Sequence, residues 1–517
     1  MTRSNGSIAR QNIISSLARQ ANGLAASAIS IAVLIRVLGG SGYGLWLATI
    51  GAMSLGTMAD IGIQYAITQV VAEAKTKVSR AELGQIVTTG FWTILAVSAV
   101  MAIMTPWLIF ATRPFQATLL HLNVSPNTFY WLLSFGITLT VLQQAPMAIF
   151  SAELGAEKFR AVRLIQSSSA WIYTAGLLTC GLIVHTTIVG LLVWYITWHA
   201  IISVVGPVII IRRGSWTIGS LRQFRIAHLK TLLHRASAFF GTTIANTART
   251  GLDAILIGSI LGTAYAAKYG PSLRIFTLAS TVVPIFFESL WPTLIRVVQG
   301  ADRRWANDAF RLGAALVLAT GAAVCVLMVT VGKRVLIGWV GLAGYPGADA
   351  IEILCVWFMV NLWVQIVVYL QTSLGRAPLV MYWTLIEGAA NVALSLVLMR
   401  HLGLIGNAIA SALSGMLFAA LPLTVSIGRS RVTGIEIPWR LLIATVCITI
   451  LVAGVAVVGK AYLSPISSLT GTIEFGMIAS GVTVGALGMV ALTKADRAIV
   501  RVQMRTVFAG VGRGFRG

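Results

Sequence analysis

Residues 236–262 read ASAFFGTTIANTARTGLDAILIGSILG. As a helix this stretch is long enough to cross the roughly 30 Å hydrocarbon core of a bilayer, and nearly all of it is apolar or small. Asn246, Arg249, Thr250 and Asp253 interrupt it at i, i+3, i+4 and i+7, which is one face of a helix. An ionised side chain at mid-bilayer costs about 2.5–3.5 kcal/mol on insertion scales. The polar face is therefore expected to look into a bundle interior or water, with Arg249 near the middle of the span. Arg249 and Asp253 also stand four apart, the spacing at which opposite charges on a helix neutralise each other.

Runs of the same kind recur from end to end. Of 517 residues, 57% are hydrophobic and only 10% are charged, against about 25% charged in a soluble domain. Hydropathy places about 14 spans, near 13–38, 42–70, 86–111, 128–151, 164–186, 187–211, 236–262, 264–296, 310–338, 350–375, 379–400, 404–427, 439–461 and 472–493. The fold class expected is an all-α integral membrane protein. The start, MTRSNGSIAR, is basic, but no small-residue cleavage site follows its apolar stretch. That stretch is expected to remain as the first span.

A formal charge of +23 would suggest nucleic acid in a soluble protein. Its placement points instead to a bilayer. Most Lys and Arg residues fall at the termini or in loops after even-numbered spans, as do Lys75, Lys77, Arg80, Arg212, Arg213, Arg303 and Arg304. The opposite loops hold Arg113, Lys333, Arg334, Arg400 and Lys460. This is the positive-inside pattern with both termini cytoplasmic, and it leaves no reason to expect a nucleic-acid partner.

The longest internal connection, RRGSWTIGSLRQFRIAHLKTLLHRA (212–236), mixes basic and apolar residues as an interfacial helix does. It sets the expected organisation: an N-terminal six-helix lobe (1–211), a cytoplasmic amphipathic connector (212–235), a second six-helix lobe (236–427), accessory helices thirteen and fourteen (428–493) and a basic cytoplasmic tail (494–517). In the tail, Lys494, Arg497, Arg501 and Arg505 stand at near-helical spacing. They suit anionic headgroups or serve as a topology anchor. The lobes echo each other. RVLGGSGYGLW (36–46) and SILGTAYAAKY (259–269) each close a span with Leu-Gly and carry an aromatic, Trp46 or Tyr269, seven residues after the glycine. Pseudo-symmetric lobes around a central lumen are a habit of transporters, with the substrate path at the lobe interface.

Other spans carry polar faces too. Gln11, Ser15, Arg19 and Asn22 mark the first; Thr57, Asp60, Gln64 and Thr68 the second; Asn361 and Gln365 the tenth; Glu387, Asn391 and Ser395 the eleventh. Lys268 and Arg274 lie in the outer half of span eight and Glu288 deeper toward the cytoplasm. Pro271, Pro284 and Pro292 are expected to bend that span. Arg19 and Asp60 stand at comparable depth and suit a structural salt bridge. The basic set Arg19, Arg36, Arg249, Lys268 and Arg274 outweighs the acidic set Asp60, Asp253, Glu288 and Glu387, so the lumen is expected to be slightly cationic. The planar fork of arginine donates two parallel hydrogen bonds to phosphate. The basic set is read as substrate-binding and the acidic set as gating or coupling.

The cysteines (Cys180, Cys325, Cys355, Cys447) sit inside apolar runs, and the histidines show no ligand spacing. Neither a metal nor a cofactor is expected.

RVLGGSGYGLW (36–46) followed by ADIGIQYAITQVVAE (59–73) resembles the opening of Wzx-type polysaccharide flippases. These belong to the multidrug/oligosaccharidyl-lipid/polysaccharide exporter superfamily. The positions that carry the likeness are Leu38, Gly39, Tyr43, Gly44, Trp46, Asp60, Ile61 and Gly62. GLDAILIGSILGTAYAAKYGPSLRI (251–275) looks like the family's span seven to eight turn, and NVALSLVLMRHLGLIGNAIASAL (391–413) its span eleven to twelve turn. The resemblance implies a flippase of the bacterial inner membrane and no covalent chemistry. Its substrate class is an undecaprenyl-pyrophosphate-linked oligosaccharide repeat unit, moved by alternating access. Polysaccharide polymerase and chain-length machinery are the implied partners. The family fixes no binding arginine, so the roles of Arg249, Lys268 and Arg274 rest on depth and charge. The rival readings are a cation-coupled multidrug exporter, a peptidoglycan-precursor flippase and, from another class, a membrane polymerase or ligase. The outer loop at about 112–127 is short for such an enzyme.

Overall fold

The computed structural model describes residues 2–74, 79–156, 159–213, 216–281, 283, 303–428, 437–462 and 469–491. The side chains of residues 2–21 and 242–251 fall outside that description as well. The helices are α1 (Thr2–Ser54), α2 (Ile63–Ala74), α3 (Arg80–Thr112), α4 (Gln116–His121), α5 (Pro126–Leu142) and α6 (Gln144–Gly155). Then come α7 (Phe159–Leu178), α8 (Ile188–Arg212), α9 (Ile226–Ile260), α10 (Thr263–Ala279), α11 (Arg303–Val340) and α12 (Ala348–Ser373). The chain continues through α13 (Ala377–Leu402), α14 (Leu404–Ser414), α15 (Leu421–Gly428), α16 (Trp439–Tyr462) and α17 (Leu469–Ala491). Among the described residues there is no strand.

The molecule is an all-α membrane protein. Eight helical segments among the described residues are long and apolar enough to cross a bilayer, and Ile63–Ala72, Trp439–Val455 and Gly476–Leu487 are shorter apolar helices. Asn22–Asp60 runs through the first expected span into the second. Large apolar side chains point outward, among them Ile103, Met104, Trp107 and Leu108 on α3 and Trp131 and Phe135 on α5. Water would penalise such a surface, whereas lipid tails solvate it.

The chain forms two compact units: 1–274 with 337–346 and 377–414, and 275–336 with 347–376 and 415–517. In the first, Ile63, Ile67, Val87, Ile94, Ala145, Ala148, Ile149 and Phe150 form a core where α2, α3 and α6 meet. Small residues set the spacing. A Cβ at Gly155 would lie 2.6 Å from the Thr68 carbonyl oxygen, so only glycine lets α6 approach α2 this closely. In the second unit, Trp363 Nε1 donates to Thr424 Oγ1 (2.9 Å) and Gln371 Nε2 to the Leu423 carbonyl (2.9 Å). These bonds tie α12 to α15.

The Leu-Gly echo has a backbone cause. Gly39 (φ 65°) breaks α1, and Gly262 (φ 102°) joins α9 to α10. Both need the positive φ that an L side chain resists. The connector, by contrast, is not a separate helix. Beyond an extended stretch and a short turn at Leu221–Gln223, the chain enters α9 at Ile226 and runs unbroken to Ile260. No glycine or proline stands between Ile226 and Phe240 to end it. Trp216 anchors its start, donating Nε1 to Glu153 Oε2 at 2.8 Å.

Candidate functional site

Span two does not present one continuous polar face, contrary to its sequence pattern. After α1 the chain tightens to a 3-10 turn over Leu55–Asp60, and Ile61 (φ 44°) and Gly62 (φ 79°) are left-handed. Thr57 and Asp60 are thereby set off from Gln64 and Thr68. Gly62 is pressed against α9, where a Cβ would lie 2.6 Å from the Ala236 carbonyl oxygen. Such a break frees N–H groups in a place without water. Asp60, buried, caps the resumed helix by accepting from the Gln64 N–H at 2.8 Å.

Span four breaks beside it, at Gln143 between α5 and α6. Gln64 Nε2 donates to both the carbonyl and the Oε1 of Gln144 at 3.2 Å, and Thr68 Oγ1 donates to the Ser151 carbonyl at 3.1 Å. Side chains of α2 thus bond to α6 across the helix contact.

The same unit holds a half-open cavity of about 340 Å³. Its wall combines Gly23, Ala26, Ser27, Ser30, Ile31 and Leu34 from the first part of α1 with Tyr43, Trp46, Leu47 and Ile50 beyond the Gly39 break. Ala170, Tyr173 and Thr174 of α7, Tyr195 of α8, and Gly270 and Arg274 of α10 complete it. Tyr43 and Trp46 share a face because they stand three apart on a helix. The rings brace one another: Trp46 meets Tyr195 edge-on at 5.8 Å, Tyr173 meets Tyr195 edge-on at 5.9 Å, and His199 lies 4.0 Å from the Tyr195 ring centre. His199 Nδ1 is 2.8 Å from the Tyr195 carbonyl oxygen, and the Ser30 and Thr174 hydroxyls are 3.1 Å apart. Arg274 Nε donates to Ser27 Oγ at 3.1 Å, and the residue as a whole is exposed. Among the described residues the lining contains no carboxylate. This arrangement can hold an anion on Arg274 beside a flat or ring-shaped group.

A second polar cluster lies where α9, α13 and α14 pack. Asp253, Glu387, Asn391, Ser395, Asn407, Ser411 and Ser414 are all buried. Asn391 Nδ2 donates to Ser411 Oγ (2.9 Å) and Ser414 Oγ (3.2 Å). Ser395 Oγ and both polar atoms of the Asn407 amide have no hydrogen-bond partner among the described residues. Among the described residues no three His, Cys, Asp or Glu side chains gather as metal ligands do.

The residues expected from sequence are therefore dispersed. Arg274 lines the cavity. Lys268 is half-buried with Nζ 5.3 Å from the Tyr265 ring centre, and Arg36 is exposed; neither lines the cavity. Asp60 caps α2, while Asp253 and Glu387 belong to the second cluster. The backbones of Arg19 and Arg249 lie in α1 and α9, but their side chains, like Glu288, Pro284 and Pro292, fall outside the described residues. The aromatic wall was not foreseen. Tyr43 and Trp46 stand inside the quoted 36–46 motif, and WIY (171–173) and WYITWH (194–199) are dense in aromatics, but a single sequence does not show that they converge.

Residues 33–336 match a family model described as "Polysaccharide biosynthesis protein". The fold is similar to the lipid II flippase MurJ in its inward closed conformation, at 13% identity and a TM-score of 0.66, covering 92% of this chain and 98% of that one. An inward-facing multidrug resistance MATE family transporter of the MOP superfamily aligns at 13% identity and a TM-score of 0.57, over 80% of this chain and 94% of that one. A MOP superfamily transporter from Pyrococcus furiosus, described as having a binding pocket of reverse polarity, gives 12% identity and a TM-score of 0.56, over 81% and 96%. At such identities the likeness establishes a fold, that of the MurJ and MATE membrane transporters. No curated protein matches the chain.

Proposed function

The chain belongs to the polysaccharide biosynthesis protein family, and on that footing we propose that it is a flippase. It carries undecaprenyl-pyrophosphate-linked oligosaccharide repeat units across the bacterial cytoplasmic membrane, with both termini on the cytoplasmic side. It moves substrate by alternating access of two six-helix lobes, 1–211 and 236–427, and performs no covalent chemistry. Helices thirteen and fourteen (428–493) are accessory, and the products pass to polymerase and chain-length machinery.

The observation that carries this reading is Arg274. Its guanidinium is held at one nitrogen by Ser27, beside a cavity whose lining, among the described residues, has no acid. An arginine retains further N–H donors in a fork that fits phosphate oxygens. Arg249, Lys268, Arg19 and Arg36 extend the cationic path. Asp253 and Glu387, in the buried polar cluster, gate it by exchanging a proton, and Glu288 tunes the neighbouring cations.

Deletion of the gene followed by extraction of lipid-linked oligosaccharides tests the proposal. Repeat units should accumulate in the cytoplasmic leaflet; an unchanged lipid-linked pool and normal polysaccharide output would refute it. A second reading, a peptidoglycan-precursor flippase, draws on the fold likeness to a lipid II flippase; essentiality of the gene separates the two. A multidrug exporter is disfavoured because many drugs are cations and the cavity presents one already.

A further inference from the structure

We infer that the cavity is a sugar-recognition subsite, which grips a single pyranose ring by stacking while Arg274 holds the anionic group next to that ring. The inference rests on the flippase reading and deepens it, since it names the part of the substrate that this chain inspects.

Three features of the cavity point to a sugar. Size is the first. At roughly 30 Å³ per water, a volume of about 340 Å³ is far more than a bare phosphate fills and comparable to one sugar ring with an attached anion. The second is the nature of the walls. A pyranose has an apolar face of axial C–H groups and a rim of hydroxyls. Tyr173 and Tyr195, half-buried, together with the more deeply set Trp46, offer aromatic surface to the first, and Ser27 offers a hydroxyl to the second. The third is rigidity. Tyr195 is braced edge-on by both Trp46 and Tyr173, and Trp194 Nε1 donates to the Tyr173 carbonyl at 3.1 Å. A platform set before the ligand arrives loses little entropy on binding.

Charge selects among ligands that suit aromatic walls. An aromatic enclosure alone would attract an ammonium group. Arg274 repels one and draws an anion, so a sugar carrying a phosphate or a carboxylate fits and a cationic drug does not.

The test uses the full-length chain in nanodiscs of neutral lipid and isothermal titration with four probes: glucose 1-phosphate, glucuronic acid, glucose and inorganic phosphate. The charged sugars should bind at least tenfold more tightly than either glucose or inorganic phosphate. Whichever charged sugar binds better identifies the anion as phosphate or carboxylate. Trp46→Leu should weaken charged-sugar binding tenfold or more and leave inorganic phosphate unchanged, while Trp46→Phe, which keeps a ring, should retain most of the affinity. Arg274→Ala should reduce the charged sugars to the level of glucose. Equal affinity for inorganic phosphate and glucose 1-phosphate, or a Trp46→Leu protein that inserts normally and binds as the wild type does, overturns the subsite. The two proposals fail separately. A deletion strain that accumulates no lipid-linked oligosaccharide refutes the flippase reading, whereas accumulation there with normal export by Trp46→Leu refutes the subsite alone.

Discussion

Gly44 lies so close to Thr263 that a Cβ on the glycine would sit 1.6 Å from the Thr263 carbonyl oxygen. The turn after the Gly39 break and the α9–α10 turn therefore meet backbone to backbone. Nearby, a Cβ at Gly40 would be 3.6 Å from that of Ala343, and Trp339 Nε1 donates to the Ala28 carbonyl at 3.0 Å. A Gly40→Cys/Ala343→Cys pair falls within the roughly 3.5–4.5 Å Cβ separation of disulfides. With the native cysteines replaced, it should cross-link readily on mild oxidation. Adding Gly44→Val should lower the cross-linked fraction severalfold, as read on a non-reducing gel. Full cross-linking in the triple variant would show that the approach of Gly40 to Ala343 does not depend on Gly44.

Asp60 is expected to act as a cap. Asp60→Asn, which still offers an acceptor to the Gln64 N–H, should retain near-normal thermal stability and export. Asp60→Ala should cost about 1 kcal/mol, within the usual 0.5–2 for a lost cap, and lower the melting temperature of the purified protein. A defect in Asp60→Asn as large as that in Asp60→Ala would instead assign the negative charge a role.

The connector's hold depends on Trp216. Trp216→Phe keeps the ring and removes the donor to Glu153, a hydrogen bond to a carboxylate typically worth about 1.5–3 kcal/mol. Limited proteolysis between Arg212 and Arg225 should accelerate severalfold in that variant. An unchanged cleavage rate would mean that packing alone holds the strap.

Arg274 separates charge from geometry. Arg274→Ala should stop export in cells while the protein inserts at wild-type levels, and Arg274→Lys should restore only part of it, since an ammonium cannot reproduce the guanidinium fork. Labelled lipid-linked repeat units, counted in each leaflet, give the readout. Full activity with lysine would reduce the requirement to a positive charge.

The buried cluster makes its own prediction. Glu387→Gln and Asp253→Asn should each slow export without loss of expression, because both keep shape and hydrogen bonding while removing the exchangeable proton. Wild-type export in the double variant would leave these residues a structural role only.

Much of this fold was legible in the sequence because the bilayer imposes a simple rule. Most expected spans fall on helix where the residues are described, and the Leu-Gly echo marked Gly39 and Gly262 as break points. Glu387, Asn391 and Ser395, read from the sequence as a polar face toward a lumen, are all buried. The second span was misread, since i, i+3, i+4 counting assumes an unbroken helix and no local signal announced the left-handed Ile61. The cavity was half visible. Arg274 was marked by its charge, but the aromatic wall arises from α1, α7 and α8 meeting, and that contact leaves no trace in any one segment.

The interruption at Ile61 and Gly62 bears on how the protein is made. The twelve residues of α2 reach about 18 Å at 1.5 Å each, well short of the roughly 30 Å a lone traverse requires. The helix before the break supplies the rest of the traverse, but Gln64 and Thr68 meet their acceptors on α6 only once that later segment has been synthesised.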